Sequence, residues 1–475
     1  MTPSLRPQAS AADSSDRILD AAAVAAFATR LRGRLVDRQA ADFEAVRAVW
    51  NAMIDRRPLL IAVCSGVADV IEAVTFAGDH GLPLAVRGGG HNIGGSALCD
   101  DGLVIDLSQM RAVRVDAKAK RAWVHGGALL GDLDRETQAF GLATPGGVIS
   151  HTGVAGLTLG GGFGWLSRKY GLTADNLLSV ELVTAERRLL RASAEDHPDL
   201  FWALRGGGGN FGVAVGFEFR LHPVGPEVLF GPTLYPLDQA AAVLRNYAEM
   251  APALPRAACA WASLMTAPPL PFLDPRYHGT KMVSVMQCYA GAAAEGEAAL
   301  APLRGFGEPA ADAVMARPFT AAQSLLDPMY AHGLRNYWTS ANFDSLDTQV
   351  IDRIVGLGET LPTPQSDVTI SQVGGAINDV APDATAYPHR DAAFVLSPGA
   401  RWDDPGDDET CLAWIDDCRR MLAEESGGGA YVNFIAESEG REREAYGRNY
   451  DRLAEVKRRY DPDNLFRINQ NVAPG

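Results

Sequence analysis

The sequence is short of the features that commit a chain to a metal, a membrane or a nucleic acid. Its six cysteines, Cys64, Cys99, Cys259, Cys288, Cys411 and Cys418, form no CxxC pair and show no regular spacing. That argues against a zinc site or a disulfide framework and predicts a reducing compartment. No apolar run is long enough to span a bilayer, and the opening MTPSLRPQASAADSSDR holds neither an apolar core nor a twin arginine, so a cytoplasmic location is expected. Positive charge is in deficit: 43 Lys and Arg against 58 Asp and Glu give a formal charge of -15. Such a surface repels phosphate backbones and anionic membranes, which leaves small molecules as the expected partners. There is no P-loop, GxSxG elbow, HExxH or EF-hand loop, no internal repeat and no low-complexity tract.

What is abundant is glycine. Of 475 residues 49 are glycine, and they concentrate in four clusters between Arg87 and Gly212. The length and a hydrophobic fraction of 47% allow a sizeable core in two domains or one composite unit. A polar, mobile start of about twenty residues precedes an Ala-rich helix over Ala21 to Leu31. From Leu59 the run LLIAVCS reads as a buried strand, VADVIEAVTFAGDHG as an amphipathic helix and LPLAVRGGG as a second strand, a βαβ unit ending in a glycine turn. Further strands are expected at Leu103–Leu107, Arg121–His125 and Val180–Thr184, and at Val213–Leu221 with Val213, Val215, Phe217, Phe219 and Leu221 inward. After His222-Pro223 the glycine clusters stop and helical and strand patterns alternate to Gly427-Gly428-Gly429, which marks a hinge. A strand-like start at Tyr431 and a charged helix follow.

The first cluster, Arg87-Gly88-Gly89-Gly90-His91-Asn92, follows a strand, where glycines allow positive φ and let backbone amides approach a pyrophosphate. The second and third hold Gly146-Gly147 and Gly153, Gly156, Gly160 and Gly162. The fourth, Gly206 to Gly212 around Asn210, contains GxGxxG but precedes a strand instead of opening a helix, so a Rossmann NAD site is rejected.

The runs RGGGHNIGG, ATPGGVISHTGVAGLTLGGGFGWLSRKYGLTADNLLSVELVTAE, FWALRGGGGNFGVAVGFEFRL and YVNFIAE followed by YDPDNLFRINQN together resemble the vanillyl-alcohol-oxidase/PCMH superfamily of FAD-linked oxidases, in its berberine-bridge-enzyme-like branch. The match extends from about residue 55 to the C-terminus. The resemblance implies FAD bonded covalently to the imidazole of His91. A second, cysteinyl link found in some members has Ile149 at its place, so a single link is expected, as in hydroxynicotine-oxidase-like members. Thr152 falls where the family gates oxygen access, and its small size favours an oxidase using O₂. The remaining implied FAD contacts are Arg87 to Asn92, Gly146, Gly147, Gly153, Gly156, Gly160, Gly162, Asn210, Gly212, Val215, Asn469 and Asn471.

For catalysis the resemblance points to Tyr431 as base and to one of Asn378 and Asp379, read on a strand Gln372–Val380 whose alternation lets only one of the two face the flavin. The motif Tyr387-Pro388-His389-Arg390 is expected to shape a turn. Trp261, Tyr289, Tyr337, Trp338 and Phe343 are candidate walls for a ring substrate, with ordinary core packing as the alternative. The expected molecule is therefore a two-lobed α+β flavoprotein: an N-terminal segment 1–54, an FAD domain 55–222, a substrate domain 223–430, and a segment 431–475 returning to the FAD domain. Its expected activity is removal of hydride from a carbon next to oxygen or nitrogen, with O₂ reduced to H₂O₂. A flavin-dependent oxygenase or oxidative cyclase, or a flavin-binding scaffold with little turnover, are the competing readings.

Overall fold

The computed structural model describes residues 19–436 and 440–475; most of the polar start expected to be mobile lies outside the described residues. The first helix, Ala21–Arg30, is capped by the Asp20 carboxylate, which accepts from the Ala22 amide at 3.1 Å. Its Phe27 stacks on Phe76 at 4.4 Å, anchoring it to the helix Val67–Asp79. That helix belongs to the expected βαβ unit. Strands Leu60–Val63, Leu103–Asp106 and Leu84–Arg87 run parallel in that spatial order. A fourth strand, Arg34–Asp37, joins the edge antiparallel; four residues are too few for periodicity to announce it.

A second, antiparallel sheet is ordered Val113–Asp116, Arg121–His125, Val213–Arg220, Leu177–Val183, Leu189–Ser193. Its central strand does not keep the simple alternation expected of it. A register shift between Ala214 and Gly216 changes which face each residue presents. Val213 and Val215 therefore pack with the first sheet, while Phe217 and Phe219 face the core beneath Trp202 and Phe201. Glu218 is buried too, held by Arg121 at 2.9 Å and Arg191 at 3.1 Å.

Residues 227–402 build a nine-stranded antiparallel sheet covered on one face by the helices Ala240–Ala253, Ala293–Arg304, Thr348–Glu359 and Asp408–Glu425. The period of two divides the strands sharply. Ala258, Ala260, Ala262 and Leu264, with Val368 and Ile370, pack under the helices, so their neighbours Trp261, Thr369 and Ser371 face the other way, toward the glycine-rich lobe.

The chain after Tyr431 packs on that lobe: Leu453, Val456, Tyr460 and Val472 share one core with Trp202, Phe217 and Phe219. Two local expectations fail here. Tyr431 begins no strand but caps a 3₁₀ turn, Val432–Phe434. The charged helix is divided at Gly447, whose φ of 47° ends the helix Glu442–Tyr446 before Tyr450–Tyr460 begins.

Candidate active site

One long cavity lies between the glycine turns and the bare face of the large sheet. Its shape follows from glycine packing. A β-carbon on Gly89 would stand 2.4 Å from the amide nitrogen of Gly153, so the first and third clusters touch only because both residues lack one. Gly156 and Gly209 open into free space. Of the residues expected to hold the cofactor, Gly88, Gly89, Gly90, His91, Asn92, Gly147, Thr152, Gly153, Gly156, Gly212 and Asn469 line this cavity.

Seven others do not; Asn471 lies beyond the lining in the C-terminal segment, and the other six each have a structural task instead. Arg87 turns away, paired with buried Asp106 at 2.6 Å and donating to the Val46 carbonyl. Gly146 packs on Leu130, and Gly160 lies against Asn433. The Gly162 amide donates to the Tyr431 hydroxyl at 3.0 Å. Val215 is core. Asn210 spends its side chain on the carbonyls of Gly207 and Gln470 and on the Val472 amide.

His91 is half-buried in the wall, its ring stacked on Trp50 at 4.2 Å. Its Nε2 lies 3.1 Å from Nδ1 of His151, and His332 closes the cluster with its ring 4.8 Å from that of His151. Burial, with the neighbouring His151 and His332, pushes the His91 pKa down to about 3, so the ring is neutral across the working range and keeps a nucleophilic lone pair. Trp50, His151 and His332 carried no local signal. They meet where the Trp50 indole donates to the Tyr330 carbonyl at 2.7 Å and Asn51 exchanges hydrogen bonds with Asn336, bridging the segment around residue 50 to the large sheet.

Tyr431 is buried, its ring against Phe163 at 4.7 Å and Phe434 at 4.8 Å. Its hydroxyl oxygen accepts from the Gly162 amide and from Asn433 Nδ2 at 2.8 Å. Burial drives the phenol well above its ordinary pKa, while these two donors stabilise the anion. Asn433 is thus a site residue the sequence reading passed over, although it stands two residues on in the same YVN motif.

Asn378 and Asp379 do not belong to the site. The strand is Asp367–Gln372, earlier than expected, and it ends because Gly374 and Gly375 take φ of 88° and 62° and turn the chain outward. Asn378 and Asp379 are exposed, and Asp379 pairs with Arg256 on the surface. The same strand instead sends Asp367, Thr369 and Ser371 into the cavity, beside Trp261, Tyr330, Trp338 and Ser397. Among the aromatic candidates, Trp261 and Trp338 line the cavity, whereas Tyr289 and Phe343 are core under the helices. Tyr387 and Arg390 shape a turn as expected, Arg390 holding Asp175 with both nitrogens.

The far wall comes from the C-terminal segment. Lys457 and Asp461 are both fully buried and 2.6 Å apart. Lys457 Nζ also donates to the carbonyls of Asn210 and Phe466, and Asp461 accepts the amides of Leu465 and Phe466. This clasp lays Phe466, Ile468 and Asn469 along the groove. The amide oxygens of Asn469 and Asn471 are buried with no protein partner, a costly state that a ligand presenting donors relieves. Glycine turns that bare the backbone, a neutral histidine in the wall and unpaired amides opposite fit FAD.

Such a site defines a flavin-linked oxidoreductase. Residues 58–193 match the family described as FAD binding domain, and residues 430–473 match the family described as berberine and berberine like. The chain belongs to the berberine-bridge-like FAD-linked oxidases. It is 32% identical over 462 residues to an uncharacterized FAD-linked oxidoreductase of Bacillus subtilis, covering 94% of this chain and 98% of that one. It is also 32% identical over 461 residues to the (R)-6-hydroxynicotine oxidase of Paenarthrobacter nicotinovorans, covering 94% and 97%. The crystal structure of 6-hydroxy-D-nicotine oxidase from Arthrobacter nicotinovorans superposes with a TM-score of 0.84 at 29% identity, covering 94% and 98% of the two chains. A chitooligosaccharide oxidase shares the fold, with a TM-score of 0.83 over 95% of this chain and 100% of its own, at 24% identity.

Proposed function

We propose that the protein is an oxidase carrying FAD on His91 through a single covalent link, and that it removes hydride from a carbon bearing oxygen or nitrogen. The observation that carries this reading is His91 itself: a neutral imidazole in the wall of the groove, oriented by Trp50 and His151. Ile149 lines the cavity where a second link would require a cysteine, and none of the six thiols lines it. FAD held along Gly88–Asn92, Gly153 and Asn469 would supply a two-electron acceptor for the hydride, with O₂ as the terminal acceptor and hydrogen peroxide as its product.

Tyr431 takes the substrate's hydroxyl or amine proton, with Asn433 and the Gly162 amide stabilising the phenolate. Phe163, Phe434 and Trp261 exclude water around it. Thr152, in the cavity wall, leaves oxygen a path. In this scheme residues 55–222 and 431–475 hold the cofactor and 223–430 supply the substrate wall. The six free, buried thiols suit a reducing, cytoplasmic setting.

The test is acid precipitation of the purified protein followed by mass analysis of the His91 peptide. Flavin in the pellet, mapped to His91, is the expected result; a colourless pellet refutes the covalent link. Peroxide formation on turnover in air separates an oxidase from a dehydrogenase.

A further inference from the structure

The cavity ends on the bare face of the large sheet, and strand register decides what stands there. Asp367, Gly399 and Trp338 form one row, Ser263, Thr369 and Ser397 the next, and Trp261 and Ser371 a third. Gly399 keeps the first row open, since its missing β-carbon would stand 3.5 Å from the Asp367 carboxylate and 3.7 Å from Trp338. Thr369 donates to the carboxylate at 2.5 Å and meets the Ser263 hydroxyl at 2.9 Å, so the hydroxyls order one oxygen of a carboxylate that lines the cavity.

Behind Asp367 stands Arg401, fully buried, hydrogen-bonded to the other carboxylate oxygen and lying 4.1 Å over the ring of Tyr330. A buried ion pair of this kind is neutral as a unit and presents a dipole, not a net charge. An ammonium group entering the cavity would meet Arg401 close behind the carboxylate, and a carboxylate would meet Asp367 in front. A neutral hydroxyl suffers neither repulsion and can donate to Asp367. Around it the Ser371 hydroxyl and the Trp338 indole nitrogen are buried without partners. A site with polar groups waiting in this way favours a hydroxylated ligand and rejects the analogue that leaves them unpaired.

We propose that this end of the cavity selects a neutral, hydroxyl-bearing ring substrate, with Asp367 accepting from a substrate hydroxyl, Trp338 and Tyr330 flanking the ring, and Arg401 as the positioning residue that cancels the carboxylate's charge. The proposal rests on the cavity being the oxidase's substrate site and names what that site takes. Selectivity here comes from the balance of two buried charges, so altering either one must change the preferred charge of the ligand in a fixed direction.

The experiment uses the flavin-loaded protein and three probes on one ring: benzyl alcohol, benzylammonium and benzoate. Binding is read from flavin absorbance and from tryptophan fluorescence, which follow binding without turnover. The wild type should bind benzyl alcohol at least about tenfold tighter than either ion, a difference of about 1.4 kcal/mol. Asp367→Asn leaves Arg401 uncompensated and should move the preference to benzoate. Arg401→Gln leaves Asp367 uncompensated and should move it to benzylammonium. The double variant, again neutral, should restore the alcohol preference, and it serves where a single variant fails to fold. An unchanged order in the single variants, a wild-type preference for either ion, or no response to any probe overturns the proposal. Absence of flavin from the purified wild type would instead refute the functional reading beneath it.

Discussion

Two donors on one phenol oxygen distinguish Tyr431 from the buried tyrosines that merely pack. Tyr247 gives its hydroxyl proton to the carbonyls of Ala260 and Ile370, whereas the Tyr431 oxygen receives from Asn433 and Gly162. Replacing Tyr431 with Phe should slow flavin reduction by roughly 10²–10⁴-fold with flavin content unchanged, as stopped-flow bleaching would show. Because burial raises its pKa, reduction in the wild type should accelerate as pH rises through the neutral range and above, and Tyr431→Phe should abolish that slope. Asp134 supplies a second pH effect, on stability. Its carboxyl is buried, receives only a 3.1 Å bond from Gln323, and burial pushes its pKa up to about 7. The unfolded chain loses this proton near pH 4 while the folded one keeps it, so stability falls as pH rises from about 4 to about 7 and is level above that. Asp134→Asn should remove this loss, gaining on the order of 2–4 kcal/mol at pH 7.5 and nothing at pH 4 in denaturant melts.

At the scale of elements, the clasp between the helix Tyr450–Tyr460 and the GGGGN turn has no solvent to fall back on. Lys457→Met strands the Asp461 carboxylate in the core and should cost about 3–5 kcal/mol, measured by urea titration, with weakened retention of unlinked flavin. Elements were legible from sequence where the pattern is local and long enough. The βαβ unit, the helix Ala21–Arg30 and the strand Arg121–His125 all stand where periodicity put them. The failures have physical causes. The sequence read as Gln372–Val380 contains two glycines that look like a strand's close approach but take positive φ and end it, which shifted the expected site from Asp367, Thr369 and Ser371 to exposed Asn378 and Asp379. The register shift after Ala214 depends on pairing with the strand Leu177–Val183, which no alternation within one strand reveals. The glycine turns were readable because positive φ and close backbone approach select one residue type. Trp50 and His332 were not, because only the assembled fold makes them neighbours of His91.

For the whole molecule, the cavity is a joint product of the glycine-rich lobe, the large sheet and the C-terminal segment. A flavin that binds this assembly and not the unfolded chain stabilises every part of it at once. Flavin-loaded protein should therefore melt several degrees above flavin-free His91→Ala, and readding FAD to that variant should recover part of the difference in a concentration-dependent way; equal melting temperatures would contradict the shared wall. The two sides of the groove, Gly88–Asn92 and Phe466–Asn469, come from segments remote in sequence and are joined only by tertiary contacts. Any local opening of the terminal clasp would thus unbuild one side of the groove while leaving the other intact. An untethered cofactor would diffuse away in that interval and have to be recaptured from a dilute pool. One anchored at His91 as proposed, on the side that stays formed, would remain at an effective local concentration in the millimolar range and reseat when the clasp closed. Under the proposed link, tethering at that wall would make cofactor occupancy independent of free FAD whenever the opposite wall opened.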